Sequence, residues 1–256
     1  MMISALNRLY RRLFCFGGYG VHSPFVFRLI TEVLEEKSAY YCYERLANVR
    51  RQLSQNNGKI RVNNRELAVN KALSNYCFTE AEDKLLFRLA NRFQPEMIYT
   101  VGSDLGLTPL YLTAYSKKTH CIVFEPESSV ASVAQKIMDK YASARIDMGA
   151  MSPAMLCVPN NRIDFVVIGK IRPDIFDDKS NPFGKLSVDI FKNFLPYMNN
   201  DSVMIIAGIH ATRENCEVWK SIGCFPEVSV TLDLYDLGIV FFNPKLHRRM
   251  YKSFVL

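Results

Sequence analysis

Short runs of apolar residues alternate along the chain with longer segments in which apolar residues recur every three or four positions. Most of the short runs end at Gly or an acidic residue and have the composition of buried strands, whereas the longer segments have the period of helices with one buried face. This alternation predicts an α/β fold with a doubly wound, Rossmann-like sheet. Seven strands are predicted, at residues 97–101, 121–124, 144–147, 164–168, 202–207, 227–234 and 238–243.

Helices are predicted between these strands, at residues 80–93, 107–115, 128–141, 184–195 and 212–222. Thr79 and Glu82 have the spacing of a capping box, which satisfies free backbone N–H groups at the start of a helix. The last two strands are separated by three residues and are expected to form a hairpin. The prediction is therefore a mostly parallel, seven-stranded sheet with one antiparallel strand.

The first 75 residues follow a different pattern, in which helices dominate. Helices are predicted at residues 3–14, 24–36 and 40–53, followed by a short strand at 59–62 and more helix to residue 73. The apolar stripes of these helices need a surface to cover them. We therefore divide the chain into an N-terminal helical cap, residues 1–75, and a Rossmann-like domain, residues 76–256.

The net charge of +7 is concentrated in this cap. Residues 1–75 hold 12 Lys and Arg against five Glu, whereas the remainder of the chain holds equal numbers of basic and acidic residues. A basic segment of this kind can bind nucleic acid, an anionic membrane or an acidic partner. The same charges can also form the solvated face of ordinary helices, because they are interleaved with apolar residues.

Nothing in the composition predicts a membrane span or a disulfide framework. The longest apolar run, residues 203–207, is far shorter than the ~20 residues that a spanning helix needs. Arg8, Arg11 and Arg12 interrupt the apolar residues near the N-terminus, which argues against a signal peptide. The seven cysteines form no C-x-x-C pair, so we expect buried thiols in a reducing compartment, by default the cytoplasm.

One stretch, residues 97–125, carries the most specific signal for binding. A strand breaks at Gly102, Gly106 follows within a turn that starts a helix, and Glu125 ends the next strand. Glycines allow a tight turn and a close approach of ligand to backbone. A carboxylate about 20 residues further on can accept the hydroxyls of a ribose. The unit predicts a nucleoside site at one half of a doubly wound sheet.

The segment Val101-Gly102-Ser103-Asp104-Leu105-Gly106-Leu107-Thr108 resembles the first motif of class I S-adenosylmethionine-dependent methyltransferases, in the catechol O-methyltransferase-like branch. Glu125-Pro126 is similar to the acidic second motif of that family. The string Gly20-Val21-His22-Ser23-Pro24-Phe25-Val26-Phe27 resembles the N-terminus of an uncharacterised bacterial group of methyltransferase-like proteins.

This resemblance implies S-adenosylmethionine as cofactor and a methyl acceptor that is either a small molecule or a macromolecule. The cofactor-binding positions that it implies are Gly102, Ser103, Asp104, Gly106, Glu125, Ala150 and Gly169. Thr100 departs from the family, which has an acid at this position two residues before the first glycine. Asp104 lies inside the turn, where it can either touch the cofactor or cap the following helix.

The family's metal-binding acids are absent from this chain. Gly169 stands at the end of the fourth predicted strand, residues 164–168. Ala207 and Gly208 stand at the end of the fifth, residues 202–207. We therefore expect no metal site. His210 is the histidine that follows a strand end and is the candidate base, while Lys170 and Arg172 are candidates for contact with an anionic substrate. For each of them, an ordinary structural role is the simpler alternative.

Three functions compete at this point. The first is a metal-independent methyltransferase, and the second is a catalytically inactive protein of the same fold that acts as a scaffold. The third is a nucleic-acid-binding protein that uses its basic N-terminal segment, although no known nucleic-acid-binding motif is present. A homodimer is compatible with the sequence.

Overall fold

A computed structural model describes residues 11, 15, 17–18, 20–62, 65–149, 162–170 and 188–254. Within these ranges the chain forms an eight-stranded sheet and a separate two-stranded hairpin. The hairpin is made of β1 and β2, and the large sheet of β3 to β10. The strands are β1 (Lys59–Val62), β2 (Arg65–Ala68), β3 (Met97–Val101), β4 (His120–Phe124), β5 (Arg145–Met148), β6 (Phe165–Ile168), β7 (Val203–Ala207), β8 (Val230–Asp233), β9 (Leu237–Phe241) and β10 (Arg249–Lys252).

The large sheet has the order β5-β4-β3-β6-β7-β9-β8-β10. Every neighbouring pair is parallel except the two that involve β9, which runs antiparallel to both β7 and β8. The predicted fold class is confirmed, including its one antiparallel strand. An eighth strand, β10, extends the sheet beyond the seven strands that the sequence predicted. It pairs with β8 and is a charged edge strand, whose side chains gave little apolar signal.

Eight α-helices lie among these strands in the described ranges, with bounds within a few residues of the predictions. They are α1 (Pro24–Arg28), α2 (Tyr41–Ser54), α3 (Val69–Tyr76), α4 (Glu80–Phe93), α5 (Leu107–Thr113), α6 (Ser128–Tyr141), α7 (Val188–Phe194) and α8 (Arg213–Ile222). α1 continues as one wider turn of π-helix over Leu29–Leu34. The capping box at Thr79 and Glu82 is formed as predicted. The predicted helix at 3–14 lies outside the described residues, apart from Arg11.

One local prediction was wrong. The sequence predicted helix from residue 63 to 73, but Arg65–Ala68 is the second strand of a hairpin with Lys59–Val62. These four residues have good helix propensity, and the pairing of the two strands overrides it. Lys59 and Glu66 form an ion pair of 2.7 Å across the hairpin.

The N-terminal helices pack on the sheet rather than standing apart from it. Val26, Ile30 and Leu34 belong to the same buried cluster as Ile98 and Phe165 of the central strands. A second cluster covers the opposite face of the sheet and contains Trp219 from α8. The helices are thus a cap in contact with the sheet, while the division of the chain at residue 75 stays a prediction.

The sheet has its topological switch point between β3 and β6. From β3 the chain proceeds to β4 and β5 on one side, and from β6 it proceeds to β7 on the other. Ligands of doubly wound sheets bind at such a point, beyond the carboxyl ends of the strands. No helix in the described part of the chain is long and apolar enough to cross a membrane.

We predict that Gly238→Ala destabilises the protein. A Cβ at Gly238 on β9 would lie 2.5 Å from the ring of Trp219, which is 2 % exposed. Overpacking of this kind costs about 1–3 kcal/mol in the free energy of unfolding, measured by urea denaturation. Gly223→Ala is the matched control, because the new methyl would meet the exposed thioether of Met250, which can move. Equal stability of both variants would contradict the prediction.

Candidate functional site

The turn after β3 has an unusual backbone. Gly102 has φ +96°, and Asp104, Leu105 and Gly106 have φ values of +47°, +55° and +90°. Such values are uncommon for residues other than glycine, so surrounding contacts hold this turn in place. The backbone amide of Gly102 donates a hydrogen bond of 2.8 Å to the carbonyl of Phe124, which joins the turn to the end of β4.

Gly169 faces this turn from the end of β6. A Cβ on Gly169 would lie 2.9 Å from the carbonyl oxygen of Val101, and a Cβ on Gly102 would lie 3.9 Å from the Cα of Gly169. The two strand ends therefore approach each other backbone to backbone at the switch point. A side chain on Gly169 would force the two strand ends apart, so packing alone accounts for a glycine at this position.

Glu125 is held against the glycine turn. Its Oε2 accepts hydrogen bonds from the amide (3.0 Å) and hydroxyl (2.6 Å) of Ser103, and its Oε1 accepts one from the amide of Glu127 (3.2 Å). Burial raises the pKa of Glu125, and the hydrogen bonds from Ser103 oppose that effect. A carboxylate has about four acceptor sites, so roughly one remains for a ligand.

Asp104 forms hydrogen bonds with two segments next to the turn. Its Oδ2 accepts a hydrogen bond from the amide of Phe78 (3.0 Å) and lies 2.9 Å from the hydroxyl of Thr108. These contacts tie the turn both to the start of α5 and to the link between α3 and α4. The predicted cap on the following helix is not formed, because α5 begins after Gly106 without a side-chain cap and Asp104 contacts the hydroxyl of Thr108 instead. A contact between Asp104 and the cofactor stays a prediction.

Thr108 bridges two carboxyl groups. Its hydroxyl lies 2.7 Å from Oδ1 of Asp83 as well as 2.9 Å from Asp104. A hydroxyl has one proton to donate, so both contacts are hydrogen bonds only when one carboxyl group is protonated. Burial raises the pKa of both acids, that of Asp83 to about 7 even though the guanidinium of Arg50 opposes the rise. Arg50 contacts Asp83 at 2.5 Å.

Lys170 already has partners inside the protein. Its ammonium donates to Oε2 of Glu82 at 2.6 Å, lies 3.4 Å from the carbonyl of Cys77 and sits 5.3 Å from the centre of the Phe78 ring. Glu82 also accepts from the amide of Thr79 in the capping box, at 2.6 Å. Lys170 thus fastens the start of α4 to the end of β6, beside the glycine turn.

A cavity of about 90 Å³ lies between these groups. Five of the predicted site residues line it: Gly102, Asp104, Glu125, Gly169 and Lys170. Ser103 and Gly106 shape the turn without lining the cavity. We call the residues that close it from the N-terminal side the cover, which consists of Val62, Ala72, Tyr76 and Cys77. Pockets for small ligands usually measure ~300–1,000 Å³, so a whole nucleoside would extend beyond this cavity.

His210 belongs to a different cluster at the same edge of the sheet. Its Nε2 lies 2.8 Å from Oδ2 of Asp233, its Nδ1 lies 3.2 Å from Sγ of Cys216, and its ring stacks on Tyr235 at 5.1 Å. Arg11 forms a two-pronged ion pair with Asp233, one contact of which measures 2.9 Å. Burial raises the pKa of Asp233, but hydrogen bonds from His210 and Arg11 outweigh it and hold the pKa well below its usual range.

The structure thus groups the predicted glycines and acids but separates His210 from them. Ala150 and Arg172 lie outside the described residues. Sequence reasoning missed Asp83, Arg50, Arg11 and Asp233. Asp233 ends a strand and could have been found by the same rule that found Glu125, whereas nothing in the sequence indicated where Arg11 and Arg50 would pair.

We predict that Asp83→Asn flattens the pH dependence of stability between about pH 4 and 7. Folded Asp83 keeps its proton up to about pH 7, whereas the unfolded side chain loses it near pH 4. The folded state therefore binds more protons in this window, and the wild-type free energy of unfolding falls as the pH rises. Urea denaturation across the window tests this. Parallel profiles for wild type and variant would contradict it.

We predict the opposite sign for Asp233, whose pKa is lowered by folding. Its stabilising effect is present above about pH 4, where the unfolded side chain is ionised, and is lost as the pH falls further. Asp233→Asn leaves the buried Arg11 without its carboxylate and should cost about 3 kcal/mol at pH 7, with the difference shrinking below pH 4. Asp201→Asn, at an exposed position, is the control. A cost that does not change with pH would be the contrary result.

Comparison with known proteins agrees with the fold of the chain. No family model and no curated protein matches the chain. Among solved structures, the O-methyltransferase TomG from Streptomyces achromogenes, in complex with SAM, is 15 % identical with a TM-score of 0.53, over 80 % of this chain and 91 % of that one. An O-methyltransferase from Bacillus cereus in complex with SAH is 14 % identical with a TM-score of 0.51, over 85 % and 97 %.

The SAH-bound methyltransferase PaMTH1 from Podospora anserina gives a TM-score of 0.51 at 9 % identity, over 81 % of this chain and 99 % of that one. The matches extend over almost the whole length of these enzymes, at identities that establish shared architecture only. The chain therefore has the Rossmann-like fold of the class I methyltransferases.

Proposed function

We propose that the chain binds S-adenosylmethionine at the turn after β3 and transfers its methyl group, without a metal ion, to an acceptor that is still to be identified. The observation that carries this proposal is the convergence of three strand ends on one cavity. Gly102, Glu125 and Gly169 line the cavity together at the switch point of the sheet. The fold is that of enzymes solved with SAM or SAH bound.

The residues around the cavity suit the parts of this cofactor. Glu125 retains about one acceptor site for a ribose hydroxyl, and Gly102 presents backbone with no side chain in the way. Pro126 and Val130 supply apolar walls for a base. Thr100, at the family's acid position, has a buried hydroxyl without a hydrogen-bond partner in the described structure, so a polar atom at that position remains unsatisfied.

When bound, the cofactor supplies an electrophilic methyl group. The chain's own contribution is positioning and exclusion of water, which are effective means of accelerating a transfer between two bound groups. Glu125 would orient the ribose, and the cover would close over it. His210 remains the candidate for the base that takes a proton from the acceptor; it follows β7, which lies two strands from β3, a separation of about 10 Å.

The residues at the ends of β6 and β7 lack the oxygen ligands that a divalent metal ion would need. Mg²⁺ and Ca²⁺ require several oxygen ligands, usually carboxylates. The ends of β6 and β7 offer Gly169, Ala207 and Gly208, which have no side-chain oxygen. Lys170 follows Gly169 directly and is paired with Glu82, so an anionic acceptor could reach its ammonium only by displacing that carboxylate.

An inactive scaffold is the second candidate, and the small cavity favours it. In that case the cover and the Lys170–Glu82 ion pair keep the site closed permanently. The nucleic-acid hypothesis has less support, since three arginines of the basic segment pair within the chain. They are Arg11 with Asp233, Arg45 with the carbonyl of Tyr141, and Arg50 with Asp83.

Titration of the purified protein with S-adenosylmethionine and S-adenosylhomocysteine by calorimetry tests the proposal. We expect the wild type to bind with a micromolar dissociation constant. Glu125→Gln should bind at least about tenfold more weakly, because the variant loses a charge-assisted hydrogen bond. Glu96→Gln is the matched control, since Glu96 directly precedes β3 at the amino end of the sheet, away from the cavity.

The two negative outcomes have different meanings. No binding of either compound up to millimolar concentration would overturn the cofactor proposal and leave the scaffold hypothesis. Binding that is equal in wild type and Glu125→Gln would show that the compounds bind at another place.

A further inference from the structure

A nucleophile, a base and an acid are lined up at the ends of β7 and β8, apart from the cofactor cavity. We call Cys216, His210 and Asp233 the thiol cluster. Sγ of Cys216 lies 3.2 Å from Nδ1 of His210, and Nε2 of the same ring lies 2.8 Å from Oδ2 of Asp233. The sequence prediction that the cysteines are buried core residues is wrong for the exposed Cys224 and for the half-buried Cys15 and Cys216. Cys216 lies on α8, six residues after His210.

The hydrogen-bond roles in this cluster follow from Asp233. The two-pronged contact with Arg11 keeps its carboxylate ionised, so Asp233 can only accept. Nε2 of His210, which lies 2.8 Å from this carboxylate and 3.4 Å from Nη2 of Arg11, therefore carries a proton and donates a hydrogen bond to Asp233. In the neutral ring this leaves Nδ1 as an acceptor, directed at the thiol of Cys216. This is the relation of nucleophile, base and orienting acid that activates a side chain for attack.

The surroundings hold the imidazole in place and leave the thiol within reach. Tyr235 stacks on the ring with an interplanar angle of 19°, and the amide of Tyr235 donates to Oδ1 of Asp233 at 2.9 Å. The side chain of His210 is 22 % exposed, so solvent reaches the cluster. Burial raises the pKa of Cys216, so the thiol keeps its proton at neutral pH and reacts by giving that proton to a base.

We propose that Cys216 is a modification site, at which His210 serves as base for attack on low-molecular-weight disulfides. In the step, Sγ forms a bond to one sulfur of the disulfide while its proton passes to Nδ1 of His210. The original S–S bond breaks, and the departing thiolate takes the proton and leaves as a thiol. The products are a mixed disulfide on Cys216 and one free thiol. This inference does not depend on the proposed methyl transfer.

Glutathione disulfide at pH 7, followed by peptide mapping over time, tests the proposal. The full chain contains its own comparison, because Cys224 is exposed and lies just beyond the end of α8. We expect Cys216 to be modified about tenfold faster than Cys224, below the full effect of general-base assistance in an enzyme. A rate for Cys216 that does not exceed that of Cys224 overturns the proposal.

Two variants distinguish the effect of the base on the rate at Cys216 from an effect of solvent exposure alone. His210→Gln keeps an amide that can donate to Asp233 but removes the base, so the rate at Cys216 should fall to about that of Cys224. Cys224→Ser should leave the rate at Cys216 unchanged. A folded His210→Gln variant with the wild-type rate overturns the assignment of His210.

If His210→Gln fails to fold, base assistance is tested in the wild type by the pH dependence of iodoacetamide alkylation at Cys216 and Cys224. Base assistance predicts a rate at Cys216 that levels off at lower pH than the rate at Cys224, whereas identical profiles overturn the proposal. Cys216→Ser should still bind S-adenosylmethionine as the wild type does. A failure of cofactor binding and a failure of thiol reactivity are therefore distinguishable.

Discussion

The contact between Asp104 and the amide of Phe78 ties the glycine turn to the short segment between α3 and α4. Both residues belong to the sheet domain, and the segment around Phe78 directly follows α3. The same carboxyl group meets Thr108, which begins α5, and through Thr108 it reaches Asp83 and Arg50. The conformation of the glycine turn, with its run of positive φ values, is therefore fixed by groups that lie outside the turn. Any change in the cap that displaced Phe78 would alter the shape of the cavity.

Some of the basic residues of the N-terminal segment form contacts inside the protein rather than facing solvent. The basic segment at the N-terminus supplies Arg50 to a fully buried Asp83 and Arg11 to Asp233. Ion pairs of this kind gain little over apolar packing, but removing one partner is costly, because it leaves an uncompensated charge in the interior. The cap thus provides Arg11 as the counterion of the ionised Asp233, and Arg50 as a hydrogen-bond partner of Asp83. Two of the twelve Lys and Arg residues of the segment thus have a structural role in the interior.

The central part of the site could be predicted from sequence because its signals are local. Gly102 and Glu125 each follow a strand that the apolar pattern identifies, and parallel strands bring their ends to one edge of the sheet. The strand-end rule applies to His210 and Asp233 as well, but it did not indicate that these two residues and Cys216 would form one cluster. His210 and Asp233 are 23 residues apart, and they meet only because β9 lies between β7 and β8 in the sheet. The hairpin of β1 and β2 was also missed, since helix propensity at Arg65–Ala68 pointed to the wrong element.

The cover over the cavity has a consequence for the kinetics of binding. Val62, Ala72, Tyr76 and Cys77 line one side of a space that is smaller than a nucleoside, and Lys170 fastens the adjoining start of α4 through Glu82. If a nucleoside enters by displacing this segment, it must wait for the segment to move. Its association rate would then reach a ceiling set by the opening rate, however high the ligand concentration, instead of rising toward the diffusion limit. The affinity of such a site would then depend on the free energy needed to displace the cover as well as on the contacts between ligand and protein.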